Sequence, residues 1–188
     1  MSVLIFVDQA DGHIKKSSYE ALTYGADVAK QLNTTAEALL LGASKDDIAA
    51  LGKYGVTKVY QISNESLNHL DAQVYTQVIA DAVNQIGASV VIFSHNQTGK
   101  AVASRVAVKL KAGLVAGACA LPDTSNGFVV KKSVFSGKAF ANVSIASAIK
   151  VISLNPNSYK TVAGEGNAAV EALNINVPAS KVKVAKCH

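Results

Sequence analysis

The densest run of chemistry-bearing side chains is Ser94-His95-Asn96-Gln97-Thr98-Gly99-Lys100. An apolar strand-like run, Val90–Phe93, leads into it, and helical spacing follows from about Gly99 to Leu110. Such a loop lies at the carboxyl end of a parallel strand, where open α/β sheets bind ligands. Free amides and the helix dipole favour a phosphate there. Thr98 would donate a hydroxyl, Gly99 would admit a close backbone approach, and Lys100 would add charge. Asp8 ends the first apolar run and belongs on the same rim. Asp8, Asn96, Gln97, Thr98 and Gly99 are therefore the candidate nucleotide or phosphate residues. A structural role competes and is the one these residue types favour: Thr98 caps the helix, Gly99 eases the turn, and Asp8 accepts loop amides.

Other chemistry is sparse. His13, His69, His95 and His188 share no metal-ligand spacing. His95 is the one histidine on the expected rim, where a solvated loop ring is its default role. Cys119 lies in an apolar segment and reads as a small buried residue, and Cys187 as incidental. Gly164-Glu165-Gly166-Asn167-Ala168-Ala169 fits the dinucleotide string G-x-G-x-x-A. No strand runs directly into it, and Pro178 closes the region before a βαβ unit could form, so it reads as a loop. No nucleophile elbow or P-loop occurs, and no catalytic residue is assigned.

The elements that would position this rim alternate strand and helix. Val3–Val7 is a continuous apolar run, and Ala36–Leu41, Lys58–Ile62 and Val90–Phe93 read as the second, third and fourth strands. Ser17 and Glu20 form a capping-box pattern at the start of a helix. A short helix is expected over Lys45–Leu51, and a longer one from Asp71 to Gly87 with Val74, Val78, Ala82, Val83 and Ile86 on one face. Alternation of this kind predicts a three-layer, Rossmann-like α/β fold with a mostly parallel sheet. After Gly113 the pattern changes. Leu114–Leu121, Phe128–Phe135, Phe140–Ile145 and Val151–Leu154 have little helix between them and read as mixed or antiparallel additions. Leu173, Ile175 and Val177, then Val182 and Val184, alternate with polar residues as short edge strands. The expected organisation is one domain over 1–155 and a tail and crossover over 156–188.

Composition narrows the class. With 188 residues, 49% of them hydrophobic and only 16% charged, the chain suits a buried parallel sheet. No apolar run approaches a membrane span, and 2–8 reads as a first strand rather than a signal peptide. A reducing, cytoplasmic setting fits the two cysteines. The net charge of +5 is unevenly spread: residues 1–94 carry 6 Lys and Arg against 10 Asp and Glu, and residues 95–188 carry 12 against 3. The lysines are scattered without interleaved aromatics, which disfavours nucleic acid and leaves an anionic cofactor, an acidic partner or, with equal weight, a solvated basic surface.

Several stretches resemble the first domain of electron-transfer flavoprotein α subunits. Gly99-Lys100 with Arg105-Val106-Ala107 and Leu110 is similar to the family's G-K-D-x-x-P-R-V-A-x-x-L helix. Ala112-Gly113-Leu114-Val115-Ala116-Gly117 resembles the segment after it. Phe135-Ser136-Gly137-Lys138-Ala139-Phe140-Ala141 resembles Y-A-G-N-A-x-A, with Lys150-Val151-Ile152-Ser153-Leu154 as the closing strand. Residues 3–29 and the tail Ser180-Lys181-Val182-Lys183-Val184 also resemble the family. Lys138 stands where Asn is usual, Ser104 where Pro is usual, and Asn155-Pro156-Asn157 where Arg-Pro-Gly is usual. Asn96-Gln97-Thr98-Gly99 looks more like the β subunit, whose N-Q-T-G loop is associated with AMP.

The resemblance implies an electron carrier rather than a catalyst. It implies a heterodimer with a β subunit, using FAD to pass electrons from dehydrogenases, such as acyl-CoA dehydrogenases, to an acceptor. The family holds FAD mainly on a second domain whose signature this sequence lacks, so this chain alone is expected to be colourless and to bind AMP weakly or not at all. Lys131, Lys132 and Lys138 are expected to include part of the partner contact. Two other classes compete: a stand-alone, stress-protein-like nucleotide module, and an enzyme using the Asp8 and His95 rim.

Overall fold

A computed structural model describes residues 1–182. Val184, Cys187 and His188 lie outside the described residues. The chain runs β1 (Ser2–Val7), a two-rung hairpin β2 (Gln9–Ala10) and β3 (His13–Ile14), α1 (Lys16–Gln31), β4 (Thr35–Leu41), β5 (Lys58–Ile62), α2 (Ala72–Ile86), β6 (Val90–Ser94) and α3 (Gln97–Leu110). It continues as β7 (Gly113–Ala118), β8 (Val129–Val134), β9 (Ala139–Ser144), β10 (Lys150–Leu154) and β11 (Ala169–Ala172). Nine strands form one sheet in the order β11-β5-β4-β1-β6-β10-β7-β8-β9. Within this sheet, among the described residues, only the β7–β8 and β8–β9 strand pairings are antiparallel. The expected α/β class, mostly parallel with antiparallel additions late in the chain, is the one found.

Burial on both faces explains the continuous apolar strands. One face of the sheet packs Val3, Ile5 and Val7 under α1 through Leu22, Tyr24 and Val28. The other packs Leu4, Phe6 and Phe93 under α2 and α3 through Val78, Ile79, Val102 and Val106. α1 seats very close to β1: a Cβ on Gly25 would lie 2.3 Å from Ile5 Cγ1. Asp71 caps α2, its Oδ1 accepting from the amides of Gln73 (2.9 Å) and Val74 (3.3 Å). Among the described residues no helix is long and apolar enough to cross a membrane.

Several local expectations change. The Ser17–Glu20 capping box does not form: α1 starts at Lys16 with Lys15 at its cap position and no side-chain cap. Glu20 instead turns to the loop after β10, where its Oε2 accepts from the Asn157 amide at 2.8 Å. The short helix over Lys45–Leu51 is a 3-10 turn over Ala49–Tyr54. The segment from Val151, grouped with the mixed or antiparallel additions, is a parallel strand. As β10 it inserts between β6 and β7, parallel to both, because its apolar run can be buried on two faces there. In the tail the strand is β11, parallel to β5, a few residues before the expected edge strand. Leu173, Ile175 and Val177 then pack on the α2 face, with the Leu173 amide still donating to the Gln61 carbonyl of β5 at 2.9 Å.

Candidate functional site

The chain steps from β1 to β4 on one side and returns through α2 to β6 on the other, so the topological switch point lies between the carboxyl ends of β1 and β6. Asp8 and Asn96 meet there. Asp8 is 5% exposed. Its Oδ2 accepts from Asn96 Nδ2 at 2.8 Å and pairs with Lys15 Nζ at 2.7 Å. Its main-chain amide donates to Ser18 Oγ at 2.9 Å, and the Ser18 hydroxyl donates to its carbonyl at 2.9 Å. Ser94 donates to the Ser17 carbonyl at 2.8 Å. These bonds join the ends of β1 and β6 to the starts of α1 and α3.

The α3 start differs in detail from the sequence expectation. Asn96, not Thr98, is the cap: its Oδ1 accepts from the Gly99 amide at 2.9 Å. Helix α3 therefore begins at Gln97, which is exposed, while Thr98 is buried. Gly99 is required by packing, since a Cβ there would lie 1.8 Å from the Ser94 carbonyl oxygen. The five candidate residues do share one rim. Sequence reasoning missed Lys15 and Ser18 as partners of Asp8. The available signal was the acid itself, because a buried carboxylate demands nearby donors.

His95 lies on the opposite side of the β6 end from Ser94, as strand alternation dictates. Its Nδ1 is 2.9 Å from Ser153 Oγ. Burial holds the imidazole below its ordinary pKa, and Lys100 and Lys132 push it the same way. Asp8 is engaged by Lys15 and Asn96, and His95 by Ser153, so the two form no acid–base dyad. Beside the rim, a cleft of about 310 Å³ opens between the β2–β3 hairpin, the loop after β4 and the turn before α2. Gln9, Ser44, Lys45, Asn68 and His69 line it. The carboxamide of Gln9 already donates to the Leu41 and Ala43 carbonyls.

Two further expectations concern the late half of the chain. Cys119 is partly exposed rather than buried, with Sγ 3.5 Å from the Lys131 carbonyl. The β8–β9 turn holds Phe135, Ser136 and Gly137 at φ values of 50°, 54° and 85°. It projects Phe135, 80% exposed, and β9 adds Phe140, 60% exposed. Lys131 and Lys138 are exposed beside them, Lys131 with Nζ 4.3 Å from the Phe140 ring centre, and Lys132 is half-buried.

Two features of the described residues differ from a dinucleotide cradle. The switch point carries a buried carboxylate where a pyrophosphate would need positive potential. In the G-x-G-x-x-A string, Gly164 donates to the Lys53 carbonyl at 2.7 Å and Ala168 to the Ala49 carbonyl at 2.8 Å. Ala169 then enters β11, so no helix start faces a ligand.

Comparison with known proteins agrees with this architecture. The sequence profile of the electron transfer flavoprotein domain matches residues 3–179. Electron transfer flavoprotein subunit alpha of Syntrophomonas wolfei subsp. wolfei is 29% identical over 167 residues, 88% of this chain and 51% of that protein. Protein FixB of Clostridium saccharobutylicum is 27% identical over 179 residues, 93% and 54% of the two chains. The lactate dehydrogenase (NAD(+),ferredoxin) subunit LctC of Acetobacterium woodii is 27% identical over 143 residues, 75% and 34%. The chain thus spans about half or less of the length of these curated relatives. With the profile covering nearly all of the sequence and the sheet ordered as described, this chain belongs to the electron transfer flavoprotein domain family.

Proposed function

We propose that the chain is the amino-terminal, α-type domain of an electron-transfer flavoprotein, acting as scaffold and partner surface rather than as the seat of redox chemistry. It would pair with a β subunit, with FAD held mainly on a second α-subunit domain. Flavin would supply the one-electron chemistry, and the protein its binding and orientation. Dehydrogenases are the donors on this reading. Acyl-CoA dehydrogenases are one such class, and the name of the Acetobacterium relative supports a wider range. A reducing, cytoplasmic setting goes with it.

One observation carries the partner role: the projecting β8–β9 hairpin with Phe135 and Phe140 exposed among Lys131 and Lys138. Exposed aromatics ringed by polar groups are the usual anchors of a protein interface. Side chains of Lys131 and Lys132 point to opposite faces, so at most one can join a single patch. The test mixes this chain with the cognate β subunit across a salt series, for wild type, Lys138→Glu and Phe135→Ser. Lys138→Glu should slow association most at low salt, because steering charges act on encounter. Phe135→Ser should speed dissociation at every salt concentration. Association unchanged by either substitution would remove the hairpin from the interface.

A further inference from the structure

We propose that the Asp8 carboxylate is the resident anion of the switch-point rim, and that this one residue sets the rim against phosphate ligands. The inference stands apart from the partner reading, since subunit association does not enter it.

The position is where α/β sheets gather positive potential for an anion. Two helices begin at it. Lys15 occupies the cap position of α1, and Asn96 that of α3. Both side chains converge on one oxygen, Oδ2 of Asp8, at 2.7 and 2.8 Å. The second amide proton of Asn96 is within reach of Ser17 Oγ, at 3.3 Å. Asn96 Oδ1 and its carbonyl are taken by the Gly99 and Lys100 amides. The Lys15 ammonium and the Asn96 carboxamide, which a phosphate loop would offer to a ligand, are thus turned inward on the chain's own carboxylate, and the Gly99 amide is turned on the cap. A phosphate brought to this rim would meet the like charge of a carboxylate that is 5% exposed.

Two consequences follow. The Asn96-Gln97-Thr98-Gly99 string can match a phosphate loop in residue type without working as one. Removing the Asp8 carboxylate should leave a vacancy faced by the Lys15 ammonium and the Asn96 carboxamide that a small exogenous anion can fill.

The experiment uses the whole chain, and measures thermal midpoints and calorimetric binding with sodium phosphate and sodium formate against sodium chloride at matched ionic strength. Wild type should respond to phosphate and formate no more than to chloride. Asp8→Gly should melt lower, and formate should restore most of that loss. Phosphate should bind Asp8→Gly at least tenfold more tightly than wild type, and Lys15→Met in the same background should abolish the gain. Should Asp8→Gly not fold, Asp8→Asn keeps the shape and an acceptor oxygen while removing the charge, and it too should gain phosphate affinity. Equal phosphate affinity in wild type and Asp8→Asn would overturn the proposal. So would a folded Asp8→Gly that formate does not restore, or micromolar AMP binding by wild type.

Discussion

Gly99 shows how a residue chosen for packing can resemble one chosen for a ligand. Its missing side chain makes room for the Ser94 carbonyl oxygen, which a Cβ would meet at 1.8 Å. Backbone cannot yield as a side-chain tip can, so Gly99→Ala should cost roughly 3 kcal/mol or more, at the upper end of overpacking penalties. Urea denaturation checks this. Loss of ligand binding in a Gly99 variant therefore reports on the fold, not on phosphate contact. His95 gives a second residue-level prediction. Its folded pKa lies below the ordinary 6.5 because of burial first, then Lys100 and Lys132. The unfolded chain accordingly takes up the proton first as the pH falls. Its contribution is full above about 6.5, where unfolded histidine titrates, and is lost as the pH falls towards the lower folded value. His95→Gln should flatten the stability profile between roughly pH 7 and 5 by that contribution. Urea midpoints of the two proteins across this range measure it, and parallel curves would mean that His95 is protonated equally in both states.

Among the elements, α2 and the β8–β9 hairpin make opposite predictions. Asp71 caps α2 and also accepts the Ser180 hydroxyl at 2.6 Å, tying the tail to the helix start. Asp71→Ala should cost about 1–2 kcal/mol, the usual value of a lost cap. Amide exchange should rise at the first turn of α2 and around Ser180 together, whereas a rise at the helix alone would show that the tail is held by Leu173, Ile175 and Val177. In the hairpin, Phe135 sits at φ 50°, a left-handed conformation that costs a side-chain-bearing residue about 1 kcal/mol. Its ring is largely in water, so little burial offsets that cost. Phe135→Gly should therefore raise the denaturation midpoint while weakening association with the proposed β-subunit partner. A stabilised variant that still binds normally would separate the strained turn from the interface.

Across the whole molecule, sheet order turns the charge asymmetry of the sequence into a spatial one. Strands β5, β4, β1 and β6 come from the acidic first half, and β10, β7, β8 and β9 from the basic second half, which also sends the short β11 with Glu171 to the edge beside β5. The basic end is also the end that carries Phe135 and Phe140, so steering charge and apolar anchor coincide. The same layout bears on flavin. The switch point is filled by Asp8 and its partners, and the glycine string runs into β11, so the purified chain should show no flavin absorption in the visible. Near-stoichiometric FAD on the isolated chain would place the binding surface within residues 1–188.

How much of this was legible in advance follows from the range of the forces involved. Hydrophobic periodicity is local, and by itself it determined the α/β class, the helix from Asp71 to Gly87 and the four apolar strands from Val3 to Phe93. Motif order pointed to the family. The rim position of Asp8 and Asn96 was legible because strand ends in a parallel sheet share an edge. Tertiary structure alone decided which partners these groups take. Thr98 and Asn96 are both good caps by type, and only the approach of Asp8, 88 residues away in sequence, fixes Asn96 as the one used. Likewise the run Val151–Leu154 showed that a strand would be buried, while its place between β6 and β7 depends on the hairpin before it swinging clear of the sheet centre. Side-chain type states what a group can bond, and the fold's long-range register selects the one partner that arrives.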